Sequence, residues 1–276
     1  MFCRKCGKEV PNSARFCHHC GIELYPNSVS SPKPPPMQTK SEQDKPKPRI
    51  KITKQAVAVI ALVCLVLGMF YAVSPLYSRS ILQNNANSVM YLEVYDKSHD
   101  LIGTASGFFI KNGKTLVTNY HVIQGANSIS VISSSGESFT SSNTVLAYDV
   151  KSDLAILECD TDLGIKPLKL SDSNTVKQGD VVYAVGYPLG LSNTMSDGIV
   201  SSRYFDDYGV DVLQITAAIS PGSSGGALFN EKGLVIGVTS AFYDGGQNLN
   251  IAIAANTVQE LYSKNSAKTA LSTLNK

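Results

Sequence analysis

The chain has 276 residues, of which 43% are hydrophobic and 17% are charged, and its formal net charge is +2. A net charge this small gives little indication of a polyanionic partner, so the placement of the charges is more informative than their sum. Four of the six cysteines lie within the first 20 residues. The long C-terminal region can bury a core without disulfide support, and its single cysteine, Cys159, is predicted to be a core residue.

Two C-x-x-C-G motifs, ten residues apart, open the chain and predict a four-cysteine zinc ribbon over residues 1–25. Four thiolates at this spacing suit the tetrahedral coordination of a structural Zn2+, and the glycine after each pair lets the backbone turn toward the sulfurs. The alternatives are two disulfides or a redox dithiol pair. His18 and His19 are predicted to be spectators, because four cysteines complete the site. The predicted ligands are Cys3, Cys6, Cys17 and Cys20.

This module resembles the short zinc ribbons at the N-termini of many bacterial membrane proteins. The resemblance implies an interaction or assembly role, with a cytosolic protein as the partner. A module of this size would depend on its metal to fold. Nucleic-acid binding is disfavoured, because the basic residues of the module exceed its acidic residues only weakly.

Residues 26–54 are rich in Pro, Ser, Lys and Gln, which predicts a solvated, partly polyproline linker. A ligand for an SH3-type domain is the alternative to a plain spacer. Residues 56–73 are almost wholly apolar, and no charge lies between Lys54 and Arg79. At about 1.5 Å per residue this apolar run is about 27 Å long, so it predicts a single transmembrane helix over residues 55–75 rather than a buried core helix.

Basic residues crowd the N-terminal side of this apolar segment, whereas Arg79 is alone beyond its other end. The positive-inside rule therefore predicts a cytosolic N-terminus and an extracytoplasmic C-terminal domain, with residues 76–85 as a juxtamembrane linker. A cleaved signal peptide is disfavoured by the module and the linker that precede the segment. The basic stretch is expected to lie against anionic lipids.

A G-x-S-G-G run at residues 222–226 predicts a turn that exposes a serine nucleophile beside an oxyanion hole. In such sites two backbone N–H groups hold the oxyanion, one on the nucleophile and one two residues before it. Ser224 places the second donor on Gly222, whereas Ser223 would place it on Pro221, which has no N–H. Ser224 is therefore the predicted nucleophile, with Gly222 and Ser224 as donors. An ordinary Gly-Ser loop is the alternative until a base and an acid are found.

The general base is predicted from only four histidines, two of which lie in the zinc module. His99 lies in a polar run between two apolar segments, which is typical of a solvated hairpin turn. His121 follows a strand that ends in a loop, and a general base needs a firmly positioned site of this kind. His121 is therefore the predicted base, and a buried structural histidine is the alternative.

Asp153 immediately precedes an apolar strand, so its carboxylate is placed at a barrel edge where it can accept from the imidazole N–H. Asp149, in a more polar stretch, is the weaker candidate for the acid. The order His121, Asp153, Ser224 is that of chymotrypsin folds rather than of subtilisins or α/β-hydrolases.

The C-terminal region resembles the HtrA/DegP-like trypsin-fold proteases over about residues 86–262. The resemblance implies a mainly β, chymotrypsin-type fold of two six-stranded antiparallel barrels, with the triad in the cleft between them. It also implies a bacterial source and an endopeptidase acting on protein or peptide substrates, with misfolded envelope proteins as the natural class. Ser223 departs from the family, which more often has Asn there. The matching segments are 106–110, 118–123, 152–157, 198–201, 222–228 and 235–254.

Runs rich in Val, Ile, Thr and Tyr, separated by Gly, Asn, Asp and Ser, agree with an all-β domain over residues 86–264. Residues 257–263 predict a short terminal helix capped by Thr257 or Asn256. Residues 265–276 are predicted to be a polar tail, and no PDZ domain is expected. A homo-oligomer is compatible with the sequence.

By resemblance, the primary specificity pocket is lined by residues just before Ser224 and by the strand near residues 238–241. Its predicted residues are Ala218, Ile219, Thr239 and Ser240. Neither stretch offers an acidic floor, so small or medium apolar side chains are expected in the pocket rather than Arg or Lys. No catalytic cofactor is predicted. Two hypotheses stay open beside the enzyme: an inactive protease-fold binding protein, and a transmembrane sensor in which the zinc ribbon carries the main function.

Overall fold

The structure is a computed structural model. The chain forms two compact units, Met1–Thr53 and Lys54–Lys276. The described residues are 1–12, 14, 16–22, 24, 59, 62–65, 79–136, 139–188, 193–242, 248–264 and 268–274. The linker predicted for residues 26–54 lies outside the described residues. So does the transmembrane helix predicted for residues 55–75, apart from residues 59 and 62–65, which are helical and exposed. Within the described part of the chain, no helix combines the length and the apolar character needed to cross a membrane.

The first unit is built from two similar turns, one for each cysteine pair. Gly7 donates its N–H to the Cys3 carbonyl and Gly21 donates its N–H to the Cys17 carbonyl, both at 2.8 Å. The two glycines have φ values of 69° and 70°, in the left-handed region that disfavours other residues. The buried hydrophobic residues of this unit are Cys3, Val10, Cys17 and Leu24.

The second unit is mainly β, as the sequence predicts. Several strands show alternating burial; in the strand Ser128–Ile132, Ile129 and Val131 are fully buried and the residues beside them are half-buried. The strands of the first half are β1 (Val89–Tyr95), β2 (Leu101–Ile110), β3 (Thr115–Thr118), β4 (Ser128–Ile132), β5 (Phe139–Asp149) and β6 (Leu154–Cys159). Those of the second half are β7 (Val181–Gly186), β8 (Thr194–Phe205), β9 (Asp211–Ile215), β10 (Ala227–Asn230), β11 (Val235–Phe242) and β12 (Asn250–Ala254), and a short β13 (Thr269–Ala270) follows.

These strands form two closed, six-stranded antiparallel barrels. The first has the order β5-β4-β1-β2-β3-β6 and is closed by pairing of β5 with β6. The second has the order β10-β11-β12-β9-β8-β7. Fully buried aromatic and aliphatic side chains fill them, including Phe108, Phe109 and Phe229. The predicted double barrel is therefore confirmed.

Helices are short. Besides the helical residues 59 and 62–65, the described helices are Tyr120–Ile123, Ala255–Ser263 and residues 79–86, with 3-10 turns at Ser173–Thr175 and Leu271–Thr273. The predicted capping by Asn256 or Thr257 is wrong, because the C-terminal helix begins earlier and its N-cap position is Ala254. Asn256 instead accepts from the Ser173 N–H at 3.0 Å and donates to Asp172 at 2.8 Å.

Residues on both sides of the predicted barrel strands also contribute to the core. Residues 79–86 are helical; 79–85 belong to the predicted linker, and Leu82 and Ala86 are buried in the same core as β1. In the predicted polar tail, Thr269–Ala270 pairs with β5, and Leu271 is fully buried in the first barrel. One or two apolar residues in a polar stretch are a weak sequence signal, and burial against a barrel decides their structure.

Candidate active site

The predicted nucleophile lies directly after a tight turn at residues 220–223. Ser223 donates its N–H to the Ser220 carbonyl at 2.9 Å, and Gly222 has a φ of 95°. Proline second and glycine with positive φ third are the residues that a type II turn requires. Within the described part of the chain, neither the Gly222 N–H nor the Ser224 N–H donates a hydrogen bond. Both predicted oxyanion donors are therefore available to a ligand.

The glycines after Ser224 are required by close approach of the backbone. A Cβ on Gly225 would collide with the Ser106 carbonyl and the Thr118 hydroxyl, and the φ of Gly225 is 83°. A Cβ on Gly226 would collide with the Val185 carbonyl. The G-G pair thus lets the chain after the serine pass close to both barrels before β10 begins.

His121 and Asp153 form a doubly bonded pair. His121 lies in the helix that follows β3, and Asp153 precedes β6, with which β3 pairs. The ring Nδ1 of His121 lies 2.8 Å from Asp153 Oδ2, and the His121 N–H donates to Oδ1 at 2.9 Å. Asn119 Nδ2 and the Tyr120 N–H both donate to the Asp153 carbonyl. The carboxylate therefore fixes both the backbone and the ring of the histidine.

The backbone and charge of Asp153 are unusual. Its φ is 51°, a left-handed conformation that aspartate tolerates better than most residues. Burial acts to raise the pKa of Asp153, but the hydrogen bonds and charge of His121, together with the Ser240 hydroxyl, outweigh it and hold the pKa below its usual value. The weaker candidate, Asp149, instead accepts from the N–H and hydroxyl of Ser152.

Ser240 connects the acid to the nucleophile. Its hydroxyl donates to Asp153 Oδ2 at 2.7 Å, and its carbonyl accepts from the Ser224 hydroxyl at 3.0 Å. No hydrogen bond among the described residues joins Ser224 to His121, although both line one cavity of about 280 Å3 together with Gly222. The structure therefore brings the predicted nucleophile, base and oxyanion donors to one cleft, with the acid behind the base.

A second cavity of about 130 Å3 lies beside the turn. Ala218, Ile219 and Thr239 line it, as predicted for a specificity pocket, whereas Ser240 does not. The Ser240 hydroxyl donates to Asp153 instead. The described residues that line this cavity include no acidic side chain.

The four N-terminal cysteines converge on one point. Their sulfur atoms all lie within 4.8 Å of one another, with Cys3 and Cys20 separated by 3.6 Å and Cys6 and Cys17 by 3.8 Å. Sulfurs held about 2.3 Å from a tetrahedral zinc ion lie about 3.8 Å apart, so the arrangement fits the metal. The N–H groups of Cys6 and Lys5 lower the pKa of the Cys3 thiol to about 6, which favours the thiolate that binds a metal.

The sequence does not predict the hydrogen bonds that support the turn. Ser106 donates its hydroxyl to the Gly222 carbonyl at 2.7 Å, and Thr239 donates to the Ser223 carbonyl at 2.6 Å. Nothing in the local sequence indicates these contacts, because Ser106 and Thr239 are far from the turn in the chain. Cys159 is buried, as predicted, and burial raises the pKa of its thiol to about 12.

Two closed antiparallel barrels with a His–Asp pair and a serine at one cleft define the trypsin-like class of serine protease domain. Residues 105–238 match the trypsin-like peptidase domain family, and residues 2–24 match the zinc-ribbon domain family. The comparisons support an HtrA/DegP-like, trypsin-fold serine protease domain and, earlier in the chain, a zinc ribbon.

The individual proteins that this chain resembles include serine proteases and an anti-sigma factor. A probable periplasmic serine endoprotease DegP-like of Buchnera aphidicola is 34% identical over 68% of this chain and 39% of its own length. The anti-sigma-I factor RsgI9 of Acetivibrio thermocellus is 31% identical over 68% of this chain and 26% of its own length. A solved structure of the HtrA-type protease AlgW with a tripeptide is 29% identical with a TM-score of 0.61, covering 68% of this chain and 62% of that one. The chain thus spans less than half the length of these two curated relatives.

Proposed function

We propose that this protein is a membrane-anchored serine endopeptidase that cleaves unfolded or misfolded proteins outside the cytoplasmic membrane. In this proposal Ser224 is the nucleophile, His121 is the general base, and Asp153 orients the base. The N–H groups of Gly222 and Ser224 form the oxyanion hole. The observation that carries the proposal is the doubly bonded His121–Asp153 pair, which shares a cleft with Ser224.

The His121–Asp153 contact supports a base rather than a structural histidine. Donation from Nδ1 to the carboxylate leaves Nε2 as the ring atom that can accept a proton. The His121 side chain is 47% exposed, so a substrate can reach it. Asp153 is less exposed, and its hydrogen-bond partners keep it ionised by lowering its pKa. An imidazolium formed during the reaction would face a fixed negative charge, which stabilises it.

In the proposed reaction the Ser224 hydroxyl must turn from the Ser240 carbonyl toward His121 Nε2. As its oxygen attacks the substrate carbonyl carbon, the proton passes to His121 and the carbonyl oxygen becomes an oxyanion. The N–H groups of Gly222 and Ser224 then donate to that oxygen. His121 then donates this proton to the leaving amine as the C–N bond breaks, which leaves an acyl-enzyme. In the second half of the reaction His121 takes a proton from water as the water attacks the acyl carbon, and it returns the proton to the Ser224 oxygen as the ester C–O bond breaks.

The pocket supports a preference for small or medium apolar side chains. Its volume of about 130 Å3 and its Ala218 and Ile219 lining leave no charge to pair with Arg or Lys. Unfolded proteins expose such apolar residues, and folded ones bury them. The DegP-like relative is described as periplasmic, which agrees with the extracytoplasmic placement proposed here from the positive-inside rule.

The zinc ribbon is proposed to lie in the cytosol and to bind a protein partner there. Its four ligands would be Cys3, Cys6, Cys17 and Cys20, with Zn2+ in a purely structural role. The exposed side chains of Phe2 and Phe16, which precede the first cysteine of each pair, are apolar surface that a partner could cover.

Labelling with a fluorophosphonate tests the enzyme hypothesis directly. The full chain in detergent micelles is treated with the reagent, and cleavage of reduced, unfolded casein is measured in parallel. We expect a single adduct on Ser224 and casein cleavage, both lost in Ser224→Ala. Ser223→Ala is the matched control, because the neighbouring serine should not be needed for labelling. Absence of both labelling and cleavage in the wild type, or an adduct on Ser223, would contradict the proposal.

A sensor function is the second candidate, favoured by the similarity to the anti-sigma-I factor RsgI9. In that case the extracytoplasmic domain would detect a ligand, and the ribbon would carry the signal. Replacing Cys3 and Cys17 by Ser separates the candidates. A phenotype that is retained, together with unchanged proteolysis, would count against the sensor.

A further inference from the structure

Three consecutive carbonyl groups around the nucleophile are held by hydrogen bonds from two residues distant in the chain. The Gly222 carbonyl accepts from the Ser106 hydroxyl at 2.7 Å, and the Ser223 carbonyl accepts from the Thr239 hydroxyl at 2.6 Å. The Ser224 carbonyl accepts from the Ser106 N–H at 2.8 Å. Ser106 therefore binds the turn twice, once through its hydroxyl and once through its backbone.

These bonds determine where the backbone N–H groups of the turn point. In a planar trans peptide the C=O and the following N–H are antiparallel, so a fixed carbonyl fixes the next N–H. The peptide between Gly222 and Ser223 is held at both ends, its carbonyl by Ser106 and its N–H by the Ser220 carbonyl. This peptide lies between the two that carry the proposed oxyanion donors. It shares the Cα atoms of Gly222 and Ser223 with those two peptides, so displacing it would shift the Gly222 N–H on one side and the Ser224 N–H on the other.

Ser106 is well placed to hold this peptide. It lies on β2 of the first barrel and is fully buried, whereas the turn leads into β10 of the second barrel. Its hydroxyl also accepts from the Tyr187 N–H at 2.9 Å, so the oxygen has one donor and one acceptor partner. Its carbonyl accepts from the Thr118 hydroxyl at 2.8 Å. The hydroxyl cannot rotate without breaking a buried hydrogen bond, which makes the contact with Gly222 a rigid one.

We propose that Ser106 is a positioning residue for the oxyanion hole. Its hydroxyl fixes the peptide between Gly222 and Ser223, and so holds the N–H groups of Gly222 and Ser224 in place for the developing oxyanion. The inference rests on the proposed endopeptidase function. Ser106 touches neither substrate nor the reacting atoms, and it acts through the turn alone.

The contribution of Ser106 is specific to the transition state. An oxyanion hole is filled only when charge develops on the substrate oxygen, so its misalignment slows chemistry without weakening substrate binding. Removing the hydroxyl should therefore lower kcat and leave KM almost unchanged. A merely structural role would instead lower the fraction of folded protein, and each folded molecule would retain its activity.

Kinetics of Ser106→Ala in the full chain test the inference, with rates divided by the folded fraction measured by near-UV circular dichroism. We expect kcat for a chromogenic peptide substrate to fall about 10- to 100-fold, with KM changed less than about twofold. The rate of fluorophosphonate labelling should fall in parallel, because the tetrahedral adduct places an oxygen in the same hole. Ser106→Thr, which keeps the hydroxyl, should recover most of the lost kcat.

The matched control is Ser142→Ala. Ser142 is also fully buried in the first barrel, and its hydroxyl also donates to a carbonyl, that of Glu158 at 2.9 Å. We expect this control to keep the wild-type kcat. Wild-type kcat in Ser106→Ala, or an equal loss in Ser142→Ala, would overturn the inference while the endopeptidase function stands. A wild type that is neither labelled nor active would instead refute the proposed function, and the inference with it.

Discussion

The zinc ribbon and the barrel domain are stabilised in different ways. The four residues that form the buried core of the ribbon include two of its proposed metal ligands, Cys3 and Cys17. The barrel domain buries three separate hydrophobic clusters that draw on all of its long strands. Because a small module cannot bury enough apolar surface to offset the entropy of folding, a metal must supply the difference, whereas the barrels need none. Each unit therefore has its own vulnerability.

Zinc removal should have the largest effect, and it should be confined to the ribbon. Structural zinc contributes about 10 to 16 kcal/mol of apparent free energy to small ribbons, so a chelator or Cys17→Ser should unfold residues 1–24. Hydrogen exchange of the full chain measures this, with fast exchange in the ribbon and unchanged protection in the barrels. Peptide cleavage should also be unchanged.

His19→Ala is the control for that experiment, since His19 is predicted not to bind the metal. Zinc content and ribbon protection should remain at wild-type levels in this variant. If His19→Ala released the metal, or if chelation removed protection from the barrels, the separation of the two units would be refuted.

Asp153→Asn should have the next largest effect, and it should be confined to catalysis. An amide at this position favours the wrong imidazole tautomer, and in a triad of this type the loss in kcat is about 10⁴-fold. Steady-state cleavage of a peptide substrate checks the prediction, while zinc content stays constant. Asp149→Asn is matched in residue type, but its carboxylate binds Ser152 rather than His121. A similar loss in Asp149→Asn would contradict the assignment of the acid.

Phe109→Ala tests whether the stability of the barrels depends on buried apolar side chains rather than on a metal. Phe109 is fully buried, so its truncation should lower the free energy of unfolding by about 3 to 5 kcal/mol. Denaturant unfolding of the full chain gives this value. The exposed Phe139 is the control, and Phe139→Ala should change stability by less than about 0.5 kcal/mol. Loss of zinc in Phe109→Ala would show that the two units do not fold separately.

The smallest effect is the pH dependence of stability that arises from Asp153. Its pKa is lower in the folded protein than its usual value, so ionisation stabilises the fold above about pH 4, and this stabilisation is lost as pH falls through the folded pKa. The difference in unfolding free energy between wild type and Asp153→Asn should therefore shrink as the pH falls below about 4. A difference that grew on acidification would have the wrong sign for a carboxylate held ionised by His121.

Local patterns predicted most of the candidate site because each part has its own signal. The C-x-x-C-G pairs indicate the ribbon, and the Pro-Gly turn with its G-G pair indicates Ser224. His121 stands out because histidines are few. The sequence predicted the cap of the terminal helix and the C-terminal tail less well. Asn256 accepts a hydrogen bond from Ser173 instead of capping the helix, and Leu271 is buried in the first barrel. Such choices depend on neighbours that are not adjacent in the chain.

The sequence alone determined the strands, the cysteine cluster and the residues available for catalysis, because these follow from local periodicity, spacing and residue chemistry. Only the tertiary structure decided that Ser240 binds Asp153 rather than lining the pocket, and that Ser106 holds the Gly222 carbonyl from the other barrel. The physical reason is that a buried hydroxyl must find a hydrogen-bond partner, and its partner is set by the packing of the two barrels rather than by the residues beside it in the chain.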